Sequence, residues 1–510
     1  MIAFLRNTWR GLTSMRTALT LLFLLALAAM PGALLPQLSL NAAKVDEYVA
    51  QHGWWGELLR KLGFFEVYAT PWFAAIYLML FTSLVGCLLP RTWEYFKQMR
   101  ARPVLTPRNL SRMPHHAQAV LDVTPEEAVG RAKKAMRGWR MDAGDDTVSA
   151  ERGYLRETGN LVFHFALLGL LVSFALGKMF SYEGQVIVQA NGGQFCNGGI
   201  FNYDQFRPGL RVDGTDLTPF CVEIGKFTAD YLDNGQPVGY RADIRYQSGA
   251  DLDSNTWRPF NLQVNHPLRT DGDRLYLLGH GYTPTFTVTF PNGEKRTQGI
   301  QWLPTDQLTL ASEGATKFDP PGVTDSEQRR KGQIAVTGLL APTPLLHGSI
   351  LSSKYPALNN PMVAVDVYRG DLGVDDGRGQ SIFSIDQKMV EQGRLQKVAR
   401  KNLALGEEVT LDDGTKVRFD SVNDWVSLQV SHDPTQGYVL VFAILIILGL
   451  GVSLTVKRRR VWVRATPQDD GRTLVEVGGL ARTDQAGYGE EFTRLARAVL
   501  SSAESDREKS

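Results

Sequence analysis

The sequence has few cysteines: three among 510 residues, with no CxxC pair. A disulfide-rich scaffold, a zinc ribbon, a thioredoxin-type redox motif and a site for c-type haem attachment are therefore excluded. A glycine-rich phosphate loop, an HExxH zinc pair and a GxSxG nucleophile elbow are also absent from the sequence. The charges nearly balance, with 55 Lys and Arg against 53 Asp and Glu, so the net charge of +2 gives no reason to expect nucleic acid as a partner.

The apolar residues, in contrast, are gathered in four long runs, at 18–35, 72–89, 161–177 and 438–456. Each run has about 17 to 19 residues, enough to cross roughly 30 Å of hydrocarbon as a helix that rises about 1.5 Å per residue. Because a span in lipid must satisfy its own backbone hydrogen bonds, we predict four transmembrane helices, at 18–35, 72–89, 161–178 and 437–456. A cleaved signal peptide is the alternative for the first run, which three arginines precede.

The distribution of Lys and Arg predicts the orientation of these helices. Three arginines precede the first run, residues 91–158 carry 13 Lys or Arg, and the segment from Lys457 onward carries 11, whereas residues 38–70 carry three. Basic residues favour the cytoplasmic side, so the termini (1–17 and 457–510) and the 90–160 loop are predicted to be cytoplasmic. The 36–71 loop and the 179–436 segment are then extracytoplasmic, in a multi-pass protein of the cell membrane.

The 36–71 loop is amphipathic. It carries Trp54 and Trp55 together with several Leu and Phe residues. Tryptophan favours the membrane–water interface, so we expect this loop to lie there as an anchor. A groove for a partner protein is the alternative.

The long 179–436 segment has the pattern of an all-β domain. Short β-rich runs, for example at 185–189, 285–290 and 362–368, are separated by turn signals such as Pro291-Asn-Gly. We therefore predict one large extracytoplasmic sandwich or barrel-like module of roughly 250 residues, either undivided or in two halves.

The predicted cytoplasmic segments mix strands and helices. The pattern indicates strands at 117–123, 140–149, 461–465 and 473–477, and helices at 124–138 and 490–501. The first helix has a clear start, with Thr124 as its cap, Pro125 in its first position and Glu127 three residues after the cap. We hypothesise one small α/β domain, half from the loop and half from the tail. Two independent appendages are the alternative.

His164 interrupts the third apolar run, about three residues and some 5 Å from its cytoplasmic end at 1.5 Å per residue. An ionisable side chain inside a membrane helix is costly and is functional by default. Imidazole is also the commonest axial ligand of haem iron. His164 is therefore our first candidate for a haem ligand, and a histidine that bonds a neighbouring helix or a lipid headgroup is the alternative.

The predicted outer domain contains weaker candidates. Cys196 and Cys221, 25 residues apart, are predicted to form a disulfide, since an oxidising compartment permits one. A thiol pair that handles a substrate cysteine is the alternative. His280 and His266 are weaker candidates for ligands of haem or a metal, and the pattern favours a hydrogen-bonding role in a loop or at a strand end for each. His347, His432 and the pair His115-His116 have weaker contexts, and no cluster has the spacing of a metal site.

Several local sequences resemble one known family. They are Trp9-Arg-Gly-Leu-Thr-Ser-Met-Arg16 before the first run, Val67-Tyr-Ala-Thr-Pro-Trp-Phe73 and Ser83-Leu-Val-Gly-Cys-Leu-Leu-Pro-Arg91 around the second, Glu151-Arg-Gly-Tyr-Leu-Arg-Glu-Thr-Gly159 and Phe163-His-Phe165 around the third, Val264-Asn-His-Pro-Leu268 and Leu278-Gly-His-Gly-Tyr282 in the outer segment, and His432-Asp-Pro434 and Arg460-Val-Trp462 around the fourth. In these motifs, and in its order of three helices, an outer domain and a fourth helix, the chain resembles the ResB/CcsB family of the system II (Ccs) pathway of cytochrome c biogenesis. The resemblance spans nearly the whole chain.

The resemblance implies a function. Family members work with a ResC/CcsA-type membrane partner that carries a tryptophan-rich haem-handling loop, and the pair exports haem b and attaches it to the CxxCH motif of apocytochrome c. This chain has no such loop and resembles the separate subunit. His164 matches the histidine of the family's third helix, which implies an inner-side haem ligand. Arg91 or Arg156 would meet the haem propionates at entry, and an anchor on the cytoplasmic side of the membrane is the equal alternative for each.

The resemblance therefore implies a non-catalytic or co-catalytic subunit of a cytochrome c synthase. No catalytic residue and no metal other than haem iron is expected in this chain. The alternative is a membrane scaffold that presents apocytochrome c or the partner through its β domain and never binds haem.

Overall fold

The structure, a computed structural model, describes residues 2–38, 42–375, 381–481 and 487–501; parts of the predicted 36–71, 179–436 and 457–510 segments lie outside these residues. The chain divides into two compact units. One unit contains the residues up to Leu176 together with those from Thr435 onward. The other is Gly177–Pro434, which we call the β domain.

Helices build most of the first unit. In chain order they are α1 (Ile2–Leu12), α2 (Met15–Leu34), α3 (Ala42–His52), α4 (Trp54–Lys61), α5 (Pro71–Arg100), α6 (Pro125–Ala135), α7 (Leu155–Phe180), α11 (Gln436–Thr455) and α12 (Tyr488–Leu500). The β domain has the three short helices α8 (Ala250–Asp253), α9 (Ser326–Gly332) and α10 (Gln387–Glu391). Among the described helices, α2, α5, α7 and α11 are long and apolar enough to cross a membrane.

These four helices coincide with the four apolar runs but have different ends. Helix α5 continues to Arg100, eleven residues past the predicted end, with Pro90 inside it. Helix α7 begins at Leu155, six residues before the predicted start. The apolar pattern marks only the stretch that a bilayer would cover, because a helix can continue into water with polar side chains and an intact hydrogen-bond ladder.

Three of the long helices pack together. Ala18 and Leu21 of α2, Leu80 and Leu84 of α5 and Leu171 of α7 form one buried apolar cluster. The Ser83 hydroxyl of α5 donates to the carbonyl oxygen of Leu12 at 2.6 Å, and the Tyr77 hydroxyl donates to the carbonyl oxygen of Leu171. A hydroxyl bonded to a neighbouring helix is satisfied without water, as a helix in lipid requires.

A second part of the first unit is a five-stranded antiparallel sheet with two helices. Its strands are β1 (His115–Leu121), β2 (Arg140–Ala143), β3 (Thr147–Arg152), β22 (Arg459–Pro467) and β23 (Thr473–Ala481), in the order β1-β23-β22-β3-β2. The chain segments on the two sides of the β domain thus form one sheet, which with α6 and α12 we call the split domain. Strand β22 pairs with both β3 and β23. The loop and the tail therefore belong to one domain, as hypothesised, and are not two independent appendages.

The core of the split domain comes from both segments. Val148 of β3, Val461 and Val463 of β22 and Phe492 of α12 are buried together with Ala128 and Val129 of α6. Helix α6 begins as the sequence predicts, because the Thr124 hydroxyl accepts a hydrogen bond from the Glu127 backbone nitrogen at 3.2 Å.

The β domain contains the other strands. They are β4 (Tyr182–Gln189), β5 (Gly193–Asn197), β6 (Gln205–Pro208), β7 (Phe220–Tyr231), β8 (Pro237–Ser248), β9 (Arg258–Gln263), β10 (Leu268–Arg269), β11 (Asp273–Thr289), β12 (Lys295–Gly299), β13 (Leu303–Pro304), β14 (Ser312–Phe318), β15 (Ile334–Ala341), β16 (Thr343–His347), β17 (Ile350–Tyr355), β18 (Met362–Gly370), β19 (Leu395–Ala404), β20 (Glu408–Thr410) and β21 (Lys416–His432). They form sheets with the orders β10-β11-β21-β4-β6, β5-β7-β8-β9 and β13-β14-β15-β18-β19, and a separate β16-β17 hairpin, while β12 and β20 extend the first sheet.

Two long strands connect two halves of this domain. Strands β11 and β21, each of 17 residues, pair with each other along nearly their whole length. One end of the pair contributes Leu275 and Val430 to a core shared with β7 and β8. The other end contributes Phe286 and Phe419 to a core shared with β15 and β18. The sequence left open an undivided module or a module in two halves, and the structure has two halves, each with its own core.

Candidate functional site

His164 lies in α7, among the long apolar helices. Its Nδ1 is 2.7 Å from the carbonyl oxygen of Asn160, one turn earlier in the same helix. A carbonyl oxygen only accepts hydrogen bonds, so Nδ1 is the donor, and in the neutral ring Nε2 is the nitrogen that has the lone pair. This is the tautomer that an imidazole needs in order to bind a metal through Nε2.

A cavity of about 560 Å³ adjoins His164. Helices α2, α5 and α7 line it, mostly with apolar side chains: Ala18, Leu19, Leu22, Leu80, Leu84, Leu88, Leu161, Phe163 and Leu167. Its volume lies within the range of about 300 to 1,000 Å³ that is typical of small-molecule sites. A largely apolar cavity with one imidazole fits a flat, apolar ligand that contains a metal ion, because the imidazole nitrogen can bind the metal.

A polar pocket of about 350 Å³ continues from one end of this cavity. The two share Arg91, Glu94, Asn160 and Leu161, and the polar pocket adds Arg156. The Arg91 guanidinium contacts the Met15 sulfur at 3.3 Å, and Arg156 Nε donates to the Ser453 carbonyl oxygen at 3.3 Å. The combined site is therefore apolar beside the imidazole and polar at its end, where the two guanidinium groups lie near the carboxyl groups of Glu94 and Glu157. Glu157 is paired with Arg458, and the guanidinium groups can pair with acidic substituents at one edge of a ligand.

Helix α11 supports the backbone around His164. A methyl group placed on Gly449 of α11 would lie 2.6 Å from the Phe163 backbone nitrogen, and one placed on Gly159 of α7 would lie 2.8 Å from the Ser453 nitrogen. The two helices can approach so closely only because these residues have no side chain. The position of His164 therefore depends on α11 although α11 does not line the apolar cavity.

Buried charges attach the start of α7 to the split domain. Arg458, 3% exposed, forms ion pairs with Glu157 of α7 and, at 3.6 Å, with Glu151 of β3. Arg460 Nε lies 2.6 Å from Glu151, and the Tyr154 hydroxyl donates to the same carboxylate. Buried charges that are paired in this way resist displacement, because separation would leave a charge unpaired.

His280, the second predicted haem ligand, lies inside the β domain. It is only 6% exposed, and its Nε2 shares a hydrogen bond of 2.5 Å with the Tyr231 hydroxyl. Burial lowers the pKa of His280 to about 4, so the ring is neutral at physiological pH. Ligation by His280 remains a prediction, and this enclosed position argues against it because no nitrogen is open to a ligand as large as haem.

Cys196 and Cys221 face each other across strands β5 and β7. They are register partners in the sheet, and their sulfurs are bonded at 2.04 Å. Cys87 is a free thiol on α5 that lines the apolar cavity, where its Sγ donates to the Leu84 carbonyl oxygen at 3.3 Å. His266 stacks on Phe260, and within the described residues no group of three or more His, Cys, Asp or Glu side chains is arranged to hold a metal ion.

The β domain also has a larger cavity, of about 720 Å³, over β15, β18 and β19. Two of its charged groups bond each other, since Arg400 Nε lies 2.5 Å from Asp366. Neither His nor Cys is among the described residues that line it. This cavity therefore offers neither an imidazole nor a thiolate to an iron porphyrin.

A buried Asp–His pair in the β domain escaped the sequence analysis. His432 Nδ1 lies 2.8 Å from Asp273 Oδ1, and Tyr182 and Asn197 donate to the same carboxylate. Burial raises the pKa of Asp273 above its ordinary value, while hydrogen bonds from Tyr182, His432 and Asn197 oppose the increase. The pair joins positions 159 residues apart, so the only signal in the sequence was the His432-Asp-Pro motif itself.

Comparison with known proteins agrees with this architecture. The sequence model of the ResB-like family matches residues 15–493. A protein named cytochrome c biogenesis protein CcsB from Synechococcus sp. (strain JA-3-3Ab) is 25% identical over 505 residues, which cover 96% of this chain and 90% of that protein. Its namesake from Synechococcus sp. (strain CC9311) is 24% identical over 512 residues, which cover 97% and 98%.

The match to a third namesake is shorter. That protein, from Synechococcus sp. (strain JA-2-3B'a(2-13)), is 24% identical over 274 residues, so the alignment spans about half of each chain, 52% of this one and 55% of the relative. The family match, in contrast, contains all four apolar helices and most of the split domain. The chain therefore belongs to the ResB-like family, as the motifs around its helices predicted.

Proposed function

We propose that this chain is a haem-handling subunit of a system II cytochrome c synthase. With a ResC/CcsA-type membrane partner, it takes part in moving haem b across the membrane and in its covalent attachment to CxxCH apocytochrome c. The names of its relatives support a role in cytochrome c biogenesis. In this proposal the split domain is cytoplasmic and the β domain is extracytoplasmic, in accordance with the distribution of basic residues.

The observation that carries the proposal is the hydrogen bond between His164 Nδ1 and the Asn160 carbonyl oxygen beside the apolar cavity. The Asn160 carbonyl holds the proton on Nδ1, so Nε2 is available beside a mainly apolar cavity. A histidine whose purpose was to satisfy its own polarity within the membrane would need partners for both nitrogens. An imidazole with one nitrogen committed and the other available is the arrangement found in metal ligands.

Each part of the site has a separate task. His164 donates its Nε2 lone pair, the leucines of α2 and α5 exclude water from the porphyrin faces, and Arg91 and Arg156 pair with the propionates. Haem supplies the iron that accepts the imidazole and the vinyl groups that are joined to the thiols of apocytochrome c. Glu94, in the same polar pocket, carries a negative charge that opposes propionate binding and so favours release.

The β domain offers no reacting group for thioether formation in this proposal. It accounts for Gly177–Pro434, about half of the chain, and its cystine removes both of its thiols from the reaction. Its task is to hold the partner or apocytochrome c close to the point of haem delivery. The chain is therefore a co-catalytic subunit, and the chemistry of attachment requires the partner.

The test is the absorption spectrum of the complex purified with its partner. His164→Ala should lower co-purified haem at least fivefold and reduce cytochrome c maturation, because the iron loses its ligand. His347→Ala is the matched control, since His347 lies at the end of strand β16 in the β16-β17 hairpin. Unchanged haem and unchanged maturation in His164→Ala would overturn the proposal and support the scaffold alternative.

The two arginines give an independent test of haem orientation. Arg91→Gln and Arg156→Gln should each weaken haem retention while leaving the Soret maximum unchanged, since the axial ligand is intact. A shifted Soret maximum with unchanged haem content would place these arginines near the iron and contradict the assigned orientation.

A further inference from the structure

A separate cavity, of about 630 Å³, lies where the split domain joins the long helices. The β2-β3 hairpin, the start of α7 and the end of α11 line it, and β22 and α12 contribute one residue each. It shares none of its described lining residues with the apolar cavity or the polar pocket beside His164. Neither His nor Cys is among those residues, so this cavity offers no axial ligand to haem iron.

In a bilayer spanned by the four long helices, this cavity lies at the level of the headgroups. Val456 is the last residue of the fourth apolar run, and Leu155 lies six residues, about 9 Å along the helix, before the third run. Both residues line the cavity, and the two helices are in contact one turn deeper, at Gly159 and Ser453. The headgroup layer is about 5 to 8 Å thick, so the cavity begins at the edge of the hydrocarbon and extends through the headgroups.

The charges that line the cavity are mainly positive. Four of the lining residues are cations and two are anions. Both anions are already paired with cations of the protein. Glu491 lies 3.2 Å from Arg459 Nε. Glu151, only 3% exposed, pairs with Arg458 and Arg460. Neither carboxylate is therefore available to neutralise the remaining cations.

Two of these cations, Arg140 and Arg152, have no carboxylate partner among the described residues. The Arg140 guanidinium donates to the backbone oxygens of Gln98 and Ala101. It also lies 5.2 Å from the centre of the Tyr154 ring, so its orientation is fixed while its charge stays uncompensated. Arg152 is exposed, and its guanidinium forms no hydrogen bond or ion pair with the part of the chain that the structure describes.

Strand pairing makes the position of Arg152 unfavourable without a ligand. Arg152 is the register partner of Arg459 in β22, which is only 2% exposed. Like charges directly opposite each other on paired strands are destabilising, and the Glu491 carboxylate neutralises only one of the two. An anion bound in the cavity supplies the missing negative charge, and the planar guanidinium groups of Arg140 and Arg152 suit the oxygens of a phosphate.

We propose that this cavity binds the headgroup of an anionic phospholipid. Arg140 and Arg152 contact the phosphate, and Leu155 and Val456 contact the start of the acyl chains. A lipid fits better than a soluble phosphate, because apolar side chains at the edge of the hydrocarbon line the same cavity as the cations. The bound lipid stabilises the junction between the split domain and the helices. The inference requires the four helices to span a bilayer, but it does not depend on haem.

The test uses the full chain, purified with its partner in detergent and stripped of lipid by extensive washing. Phosphatidylglycerol should raise the thermal unfolding midpoint by several degrees, and native mass spectrometry should find one retained molecule per chain. Phosphatidylcholine, which has no net charge, and inorganic phosphate, which has no acyl chain, should leave the midpoint unchanged at the same concentration. Equal protection by phosphatidylcholine, or protection by inorganic phosphate alone, would overturn the proposal.

Arg152→Gln separates lipid recognition from folding. Because the Arg152 guanidinium has no described partner in the protein, this variant should have the wild-type unfolding midpoint, or a slightly higher one, in the absence of lipid. Its affinity for phosphatidylglycerol should fall at least fivefold. Arg152→Lys keeps the positive charge without the planar guanidinium and should retain part of the affinity. An Arg152→Gln variant that phosphatidylglycerol protects as well as the wild type would contradict the site.

Arg112→Gln is the matched control. Arg112 is an exposed arginine three residues before β1, and it does not line the cavity. This variant should bind phosphatidylglycerol as the wild type does. An equal loss of affinity in Arg152→Gln and Arg112→Gln would show only a general attraction between basic residues and anionic lipid, and the site would be wrong. Haem enters none of these measurements, so their outcome is independent of the proposed function.

Discussion

Gly449 of α11 packs against the backbone of Phe163, the residue before the candidate haem ligand, so closely that an added methyl group would lie 2.6 Å from the Phe163 nitrogen. Gly449→Leu should therefore push α11 away from α7 and displace His164. We expect a several-fold loss of co-purified haem and a destabilisation of about 1 to 3 kcal/mol, the usual effect of overpacking. Absorbance and thermal unfolding of the purified complex measure both effects.

Gly451 provides the control for this substitution. It lies on the same helix, but a methyl group placed on it would contact nothing within 4 Å. Gly451→Leu should leave haem content and the unfolding midpoint close to those of the wild type. An equal loss of haem in both variants would show that added bulk on α11, and not its contact with α7, affects the site.

The disulfide should stabilise the β domain without contributing to haem binding. Cys196 and Cys221 close a loop with a sequence separation of 25 residues. A cross-link over a loop of this length is worth about 3 kcal/mol in the chain-entropy account. The double variant Cys196→Ser/Cys221→Ser should therefore unfold more readily and retain its haem.

A thiol count on unreduced protein checks the bond itself. A maleimide reagent added after denaturation should label one cysteine, Cys87, in the wild type and two more after reduction. Three labelled thiols before reduction, together with maturation that stops in the double variant, would favour the alternative in which the pair handles a substrate cysteine.

The sequence predicted the features that local chemistry determines. The four apolar runs are long helices in the structure, as expected of spans that must satisfy their own backbone in lipid, and His164 lies among them beside an apolar cavity. The helix ends were missed, as α5 shows by continuing to Arg100. The link between Asp273 and His432 was also missed, since it depends on the pairing of β11 with β21, which no local pattern specifies.

The split domain makes its two chain segments depend on each other. Strands β22 and β23 supply Val461, Val463, Val475 and Val477 to the core, and β22 is the hydrogen-bonded neighbour of β3. Deletion of residues 461–510 should therefore expose the core of the 105–153 segment and make that segment sensitive to protease. A chain that ends at Ser501 keeps β22, β23 and α12 and should remain protected. Equal protease resistance in both truncations would contradict the interdependence.

Asp424 should make the β domain less stable at neutral pH than at acidic pH. Burial raises the pKa of Asp424 to about 6. Between about pH 4 and pH 6 the folded protein holds a proton that the unfolded chain releases, so stability from this group falls as the pH rises and stays low above pH 6. Asp424→Asn removes the charge and should stabilise the protein by up to about 3 kcal/mol at pH 7.5, given about 1.4 kcal/mol per pKa unit.

The gain should disappear at about pH 3, below both pKa values, where the wild-type carboxyl is protonated in the folded and the unfolded state, and thermal unfolding of the full chain at the two pH values measures it. Asp230→Asn is the control, because Asp230 forms a partly exposed ion pair with Arg241 at 2.7 Å. Such pairs contribute less than about 1 kcal/mol, so this variant should not be stabilised at pH 7.5. If Asp424→Asn were destabilising at pH 7.5, the carboxylate would have to accept hydrogen bonds that the amide cannot replace, and its charge would then support the fold.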